Sequence, residues 1–324
     1  MPPSAPVCPA SPQAPSGSQL DTLTPLINDP ASINIAVQLF AKRTKVSLFA
    51  GAPVHTNGAA SPFLKWAGGK SELLPELVKR LPRSFNRYYE PFLGGGALFF
   101  YLTPAEAVLS DVNEEIINCY NAAKAKLPEL ISELRKHRNE RNYFLRVRRM
   151  QPWQLDPITR AARFIFLNKT CYNGLYRVNQ KGEFNVPFGK YDNPRICDEA
   201  GLTRASRALQ AADILCRDFR HVLYSAQPQD FVYFDPPYSP LSATSSFTAY
   251  SESPFGEREQ KALRQVFDAL SDRDCRVMVS NSDNETVRRL YDGRATIHSV
   301  QASRAINSRA DKRGKISELI ITNY

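Results

Sequence analysis

The chain's chemistry is most legible at the tetrapeptide Asp235-Pro236-Pro237-Tyr238. It closes the apolar run Phe231-Val232-Tyr233-Phe234, which reads as a buried strand. Two prolines remove two backbone donors and stiffen the loop, leaving carbonyls pointing outward. The aspartate carboxylate and a proline carbonyl together form a pair of acceptors suited to both hydrogens of an amino group. Tyr238 adds a flat face on which a base can stack. The same residue types also suit an ordinary turn after a strand, so the tetrapeptide alone leaves both readings open.

Two glycine-bearing segments precede it. Tyr88–Phe99 (YYEPFLGGGALF) runs from a strand through Gly94-Gly95-Gly96 directly into a helical pattern. Glycines there let backbone approach a ligand closely. Asp111 follows the next apolar run, a placement suited to the hydroxyls of a ribose. Strand, glycines, helix, strand and acidic tip, in that order, point to a nucleoside-bearing ligand, with a purely structural turn as the alternative. Phe63–Ser71 (FLKWAGGKS) ends in Gly69-Lys70-Ser71, like the close of a phosphate-binding loop. The first glycine of such a loop belongs at position 64, which is leucine, and no strand precedes it, so nucleoside triphosphate hydrolysis is set aside. A glycine pair beside Trp66 and Lys70 still suits a loop closing over a carboxylate-bearing ligand.

The elements that must position these residues alternate between strand-like and helical runs from Pro62 onward, which predicts an α/β fold with a largely parallel sheet. Strands are expected at Tyr88–Glu90, Ala107–Leu109, Asp213–Leu215, Phe231–Phe234, Arg276–Ser280, Thr296–Val300 and Ser317–Thr322. Helices are expected over about 69–80, 96–102, 113–123, 256–271 and 284–291. Between strands, the stretches 128–137, 141–150 and 159–170 read as amphipathic helices, which predicts a helical insertion. Residues 120–213 carry 18 Lys/Arg against nine Asp/Glu, while the rest of the chain carries 24 against 23. Nearly all of the net charge of +10 therefore sits in that insertion. Such a segment would attract a polyanion, although a solvated charged face would look the same.

The remaining composition excludes other classes. The six cysteines are dispersed with no C-x-x-C pair, which disfavours a disulfide framework or zinc site and fits a reducing cytoplasm. No apolar run approaches the roughly 20 residues needed to cross a bilayer, and the N-terminus lacks the features of a secretory signal. Residues 1–19 are rich in Pro, Ser and Ala and are expected to be disordered. Residues 32–50 are apolar enough for a short element, either a docking segment or a leader without function.

Taken together these residues resemble the Dam-type DNA adenine-N6 methyltransferases, over roughly residues 62–324. FLKWAGGK and YEPFLGGGALF are similar to that family's cofactor-binding segments, Ser110–Asn113 (SDVN) to its ribose-binding acidic position, and Arg217–Phe219 (RDF) to the segment beside the cofactor's adenine. Residues 280–283 and 304–323 also fit. The insertion adds FLNKTCYNGLYR (Phe166–Arg177) and GEFNVPFGKY (Gly182–Tyr191), a helix end and β-hairpin in relatives.

The resemblance implies a Rossmann-like, S-adenosylmethionine-dependent methyltransferase sheet (61–123 and 214–324), a helical plus β-hairpin DNA-recognition insertion (124–213) and an N-terminal extension (1–60), with a true start near Ser61 as one option. It implies site-specific methylation of adenine N6 in double-stranded DNA, at GATC or a GAT-containing site, by flipping the base from the duplex. Asp235, Pro236, Pro237 and Tyr238 would be catalytic. Trp66, Lys70, Glu90, Pro91, Phe92, Gly94, Gly96, Asp111, Asp218, Phe219 and Asp235 would hold S-adenosylmethionine, with no metal. Tyr172, Asn173, Leu175, Arg177, Pro187 and Tyr191 would meet DNA, Arg177 being suited to guanine. Phe184 and Phe188 are expected in the hairpin core rather than on bases. The expected partners are DNA and no membrane, with a monomer as the expected state and a separately acting restriction endonuclease left open. Two alternatives remain: the same fold acting on cytosine N4 or on RNA, and a catalytically silent DNA-binding module.

Overall fold

Apolar runs bounded by turn residues build a seven-stranded sheet. The computed structural model describes residues 59–324 except 67, 69, 71, 180, 239–254 and 304–314, together with the backbone of Ser47–Leu48, which pairs with Ser84–Phe85. In chain order the sheet strands are β1 (Tyr88–Glu90), β2 (Ala107–Asp111), β3 (Ala212–Cys216), β4 (Phe231–Phe234), β5 (Arg276–Ser282), β6 (Thr296–Ser303) and β7 (Lys315–Thr322). Their spatial order is β3-β2-β1-β4-β5-β7-β6. All pairings are parallel except those of β7, which runs antiparallel to both β5 and β6. This is the mixed α/β, Rossmann-like arrangement expected, and all seven anticipated strands are present.

Alternate residues of the central strands enter different cores, as the period of two requires. Tyr88, Leu109, Phe231, Tyr233, Met278 and Ile320 face one apolar cluster. Tyr89, Val108, Val232, Phe234, Val277, Val279 and Ile321 face another. Both faces are therefore covered, which explains why these strands read as continuous apolar runs rather than alternating ones. The first core is closed by α1 (Leu74–Val78), α2 (Ala97–Leu102) and α3 (Glu114–Ala125), the second by α8 (Glu257–Asp272) and α9 (Glu285–Tyr291).

Between α3 and β3 lie α4 (Leu127–Leu134), α5 (Arg141–Arg149), α6 (Pro157–Thr170) and α7 (Glu199–Leu209). Asp156 starts α6 by accepting the amides of Ile158 and Thr159, with Pro157 in the first turn where its missing N–H costs nothing. Buried Arg163 donates to the carbonyls of Val147 (3.1 Å) and Arg148 (2.9 Å) and so helps satisfy the end of α5, where the Val147 carbonyl also accepts the Met150 amide. Leu130, Leu134, Ala161, Phe164, Leu202 and Ala205 share the first core with the sheet. A third cluster, Phe144, Val147, Phe166, Leu167, Cys171, Phe184 and Val186, lies within the insertion. Phe184 belongs to it and Phe188 packs against it, as expected for hairpin core.

Three expectations need correction. Helix α7 was not anticipated, although Asp198 caps it and Leu202, Ala205 and Leu209 are buried at helical spacing. Helix α1 begins only at Leu74, with Pro75 in its first turn. The hairpin has no regular ladder: among the described residues it has two isolated bridges, Cys171 with Phe188 and Val178 with Phe184. Pro187 lacks an amide for the ladder, and Gly182 turns through φ +75°. The expectations for residues 1–46 and 49–58, and for 304–314 of the closing stretch, lie outside the described residues. No described helix is long and apolar enough to cross a membrane.

Candidate active site

The winding of the chain fixes where a site can form. From β1 the chain proceeds outward to β2 and β3, then returns to β4 on the other side of β1 and proceeds through β5. The carboxyl ends of β1 and β4 therefore flank the switch point, where loops diverge and leave a crevice. Glu90 ends β1 and Asp235 follows β4, so two of the acidic residues singled out from sequence lie at this position.

Asp235 is held from two sides. Lys70 Nζ lies 2.8 Å from its Oδ1, and Ser280 Oγ, from β5, donates to the same oxygen at 2.8 Å. Lys70 also donates to the Gly68 carbonyl (2.9 Å) and stands 4.4 Å from the centroid of the Tyr238 ring. The Tyr238 hydroxyl donates to Glu318 Oε2 at 2.6 Å. Burial raises the Asp235 carboxyl above the usual aspartate range, while Lys70 and the Ser280 hydroxyl pull it back. The Asp235 side chain retains 20% exposure, enough for an incoming group to reach it.

Glu90 is a buried carboxyl whose donors, the Tyr88 hydroxyl (2.8 Å) and the Phe99 amide (3.2 Å), both reach Oε2. Burial pushes it up to about 8; the Tyr88 hydrogen bond opposes this and the Asp235 charge adds to it. After Pro91 and Phe92, Gly94 and Gly96 take φ of +43° and +65°. A Cβ on Gly94 would come 2.6 Å from the Trp66 indole, so this turn and the Phe63–Lys70 loop touch through a position only glycine can fill. Asp111 accepts the amides of Gly94 (3.0 Å) and Asn113 (2.9 Å), which ties β2 to the turn. Burial raises its carboxyl while these amides oppose.

Phe92 stacks on Phe219 with centroids 5.3 Å apart, and Phe255 closes against both. Asp218 adjoins this cluster through Arg220, whose guanidinium lies 4.5 Å over the Phe219 ring. Asp218 is 46% exposed and both its oxygens lie 2.9 Å from Arg220 Nη1.

The DNA-facing candidates gather on the insertion. Tyr172 is 44% exposed, Asn173 adopts left-handed φ of +55°, and Arg177 and Pro187 are exposed. Arg177 donates to Asn185 Oδ1 at 2.7 Å, and the Pro187 carbonyl accepts the Tyr172 amide at 2.8 Å. Leu175 instead packs on the insertion's cluster. Lys65 Nζ lies 4.5 Å over the Tyr191 ring, at a cavity of about 340 Å³ also lined by Lys169 and Arg195. Burial, then Lys65, lowers Lys169 to about 8.

Sequence reasoning gave no role to four residues that organise this site. Buried Asn168 accepts the Lys65 amide (2.8 Å) and donates to the carbonyls of Lys65 (2.7 Å) and Gly174 (3.0 Å), stapling the Phe63–Lys70 loop to the insertion. Trp66 stacks on Tyr176 across the same seam (5.8 Å). Ser280 and Glu318 lie on β5 and β7, and a lone acid in the apolar run of β7 was the signal available for the second.

With the geometry established, comparison with known proteins identifies relatives. A family model described as D12 class N6 adenine-specific DNA methyltransferase matches residues 66–306. The type II methyltransferase M.MjaIII of Methanocaldococcus jannaschii is 43% identical, across 81% of this chain and 99% of that protein. The type II methyltransferase M1.LlaDCHI of Lactococcus lactis subsp. cremoris is 42% identical, across 81% and 95%. The DNA adenine methylase of Escherichia coli is 37% identical, across 80% and 93%.

Proposed function

Because this chain belongs to the D12 class N6 adenine-specific DNA methyltransferase family, we propose that it transfers methyl from S-adenosylmethionine to adenine N6 within GATC, or a longer site containing GAT, after flipping the base out of the duplex. The observation that carries this reading is the placement of Asp235, Pro236 and Tyr238 at the switch point, beside the glycine turn of β1 and the Lys70 loop.

The crevice residues fit the cofactor. Gly94 and Gly96 let the turn pack against Trp66 and Tyr120 where a Cβ would clash, keeping the backbone of the turn free of side chains, and Phe92 and Phe219 form an aromatic wall beside it. Trp66, Lys70, Glu90, Pro91 and Asp111 line the approach, with Glu90 suited to a cationic group and Asp111 to ribose hydroxyls. Asp218 serves only by sharing its carboxylate with Arg220. Bound there, S-adenosylmethionine supplies an electrophilic methyl on a sulfonium.

The chain's own part is positioning. Asp235 and the Pro236 carbonyl accept the two hydrogens of the adenine amine and turn its nitrogen lone pair outward. Pro237 stiffens the loop, and Tyr238 stacks on the flipped ring. Unstacking the base costs a few kcal/mol, offset by Tyr172, Asn173, Leu175, Arg177, Pro187 and Tyr191 on the duplex and by Lys65, Lys169 and Arg195 beside phosphates. In this reading 61–123 and 214–324 form the catalytic part, 124–213 the recognition insertion and 1–60 an extension.

Asp235→Ala tests the assignment. We expect methyl transfer to a GATC duplex to be abolished while circular dichroism and thermal unfolding stay close to wild type. Mass spectrometry of digested product should find N6-methyladenine and no N4-methylcytosine. Wild-type-like transfer by the variant, or methylcytosine as product, would overturn the reading.

A further inference from the structure

Strand β7 is apolar through Leu319, Ile320 and Ile321, yet it carries a carboxylate at Glu318. Glu318 is 8% exposed, paired in register with Ser282 on β5 and Val300 on β6. Among the described residues no cation pairs with it, and its hydrogen-bond donor is the Tyr238 hydroxyl at 2.6 Å. Burying a carboxylate this way is unfavourable for a sheet, and an apolar residue there would extend the run Leu319–Ile321. Burial, reinforced by Asp235 and Glu318, holds the Tyr238 phenol far above its usual pKa, so it stays neutral and donates.

Tyr238 is thus tethered at three points. Its Cα is held by the chain at the end of the Pro236-Pro237 loop, Lys70 stands over one face of the ring at 4.4 Å, and Glu318 holds the far end. A ring fixed only at its Cα could still turn about its side-chain bonds. With the hydroxyl pinned, the ring plane is set before a base arrives, which removes an ordering cost from the step in which the base is seated.

We infer that Glu318 is a positioning residue for methyl transfer, its carboxylate locking the Tyr238 ring into the plane on which the flipped adenine stacks. This rests on the reading of Tyr238 as the stacking surface. The effect is transmitted only through the tyrosine hydroxyl, which separates it from a general contribution to packing.

The test is a double-mutant cycle on the full-length protein, read by single-turnover methyl transfer at saturating S-adenosylmethionine and duplex. Glu318→Ala should slow transfer roughly tenfold or more, the scale of a hydrogen bond to a charged partner. Duplex affinity should stay within about twofold, because Glu318 lies away from the recognition surface. Glu318→Gln, which keeps an acceptor, should recover most of the loss. Tyr238→Phe should be slowed like Glu318→Ala, and adding Glu318→Ala to it should cost less than about twofold more. A duplex with 2-aminopurine at the target position should show weaker quenching in Glu318→Ala. Equal costs of Glu318→Ala in the Tyr and Phe backgrounds would overturn the inference, as would a wild-type rate in Tyr238→Phe, which is decisive even if Glu318→Ala fails to fold. A wild-type rate in Tyr238→Ala would instead overturn the stacking role itself. Slow transfer there with normal transfer in Glu318→Ala would remove only the inference.

Discussion

Replacing Glu90 by Gln should make the protein more stable at neutral and alkaline pH while leaving it unchanged in acid. Glu90 is 3% exposed, and burial pushes its carboxyl to about 8 from an ordinary glutamate value of 4.5. Between those values the unfolded chain has released a proton that the folded chain still holds. Stability is therefore greatest below the unfolded value and is lost as pH rises toward the folded one. At about 1.36 kcal/mol per unit, the separation amounts to about 4 kcal/mol by pH 8. Glutamine keeps the acceptor for Tyr88 and Phe99 and cannot ionise, so the variant should lack this slope. Urea unfolding of both ligand-free proteins, from about pH 5 to 8, would show the curves diverging by about 4 kcal/mol in favour of Glu90→Gln. Parallel curves would refute the buried, proton-holding carboxyl. The same variant should bind S-adenosylmethionine more weakly, since the carboxylate that is costly to the fold is the one placed at the cofactor crevice.

Two further outcomes follow from the site's hydrogen bonds and charges. Lys70 holds the Asp235 carboxyl down against burial, and an acceptor of amine hydrogens must be ionised, so activity falls as pH drops through the Asp235 pKa. Lys70→Met should move that acidic limb to higher pH in single-turnover profiles at saturating ligand, and an unmoved limb would show that Lys70 does not set it. Asn168→Ala leaves the Lys65 amide and two carbonyls without their partner. It should cost about 3 kcal/mol in chemical unfolding, and a loss below about 0.5 kcal/mol would mean that solvent replaces the staple.

The sheet was legible because parallel strands covered on both faces are nearly pure apolar runs, as in Phe231–Phe234. The loop proposed as catalytic was legible only in company: Asp-Pro-Pro-Tyr after such a run also suits an ordinary turn, and the glycine turn and Asp111 ahead of it supplied the distinction. Helix α7 was missed although Asp198 and the spacing of Leu202, Ala205 and Leu209 signal it, because the basic insertion around it offers no strand on which to anchor the reading. Ser280 and Glu318 could not be assigned roles from sequence, since each acts across strands far apart in the chain: Ser280 is 45 residues from Asp235 and Glu318 is 80 from Tyr238. Asn168 is harder still: it is one polar residue directly after the apolar stretch Ile165–Leu167, and two of its three backbone partners lie 103 residues away. Composition marks the loop and the insertion separately, and only the packed chain shows that one side chain joins them.

That joining constrains how the two ligands relate. The Phe63–Lys70 loop carries Lys70, which reaches Asp235, and Trp66, which seats against Gly94. Its other side is bound to the insertion through Asn168, through the stacking of Trp66 on Tyr176, and through Lys65 over Tyr191. Tyr191 itself and the sequence neighbours of Tyr176 are among the residues proposed above to meet DNA. A ligand that orders the loop therefore reduces the freedom left in the recognition segment, and a duplex that orders the segment does the same for the loop. Linkage requires the two effects to be equal in free energy. Asn168→Ala should accordingly weaken the mutual enhancement of cofactor and DNA binding more than it weakens either ligand bound alone, because it cuts the seam and leaves both surfaces in place.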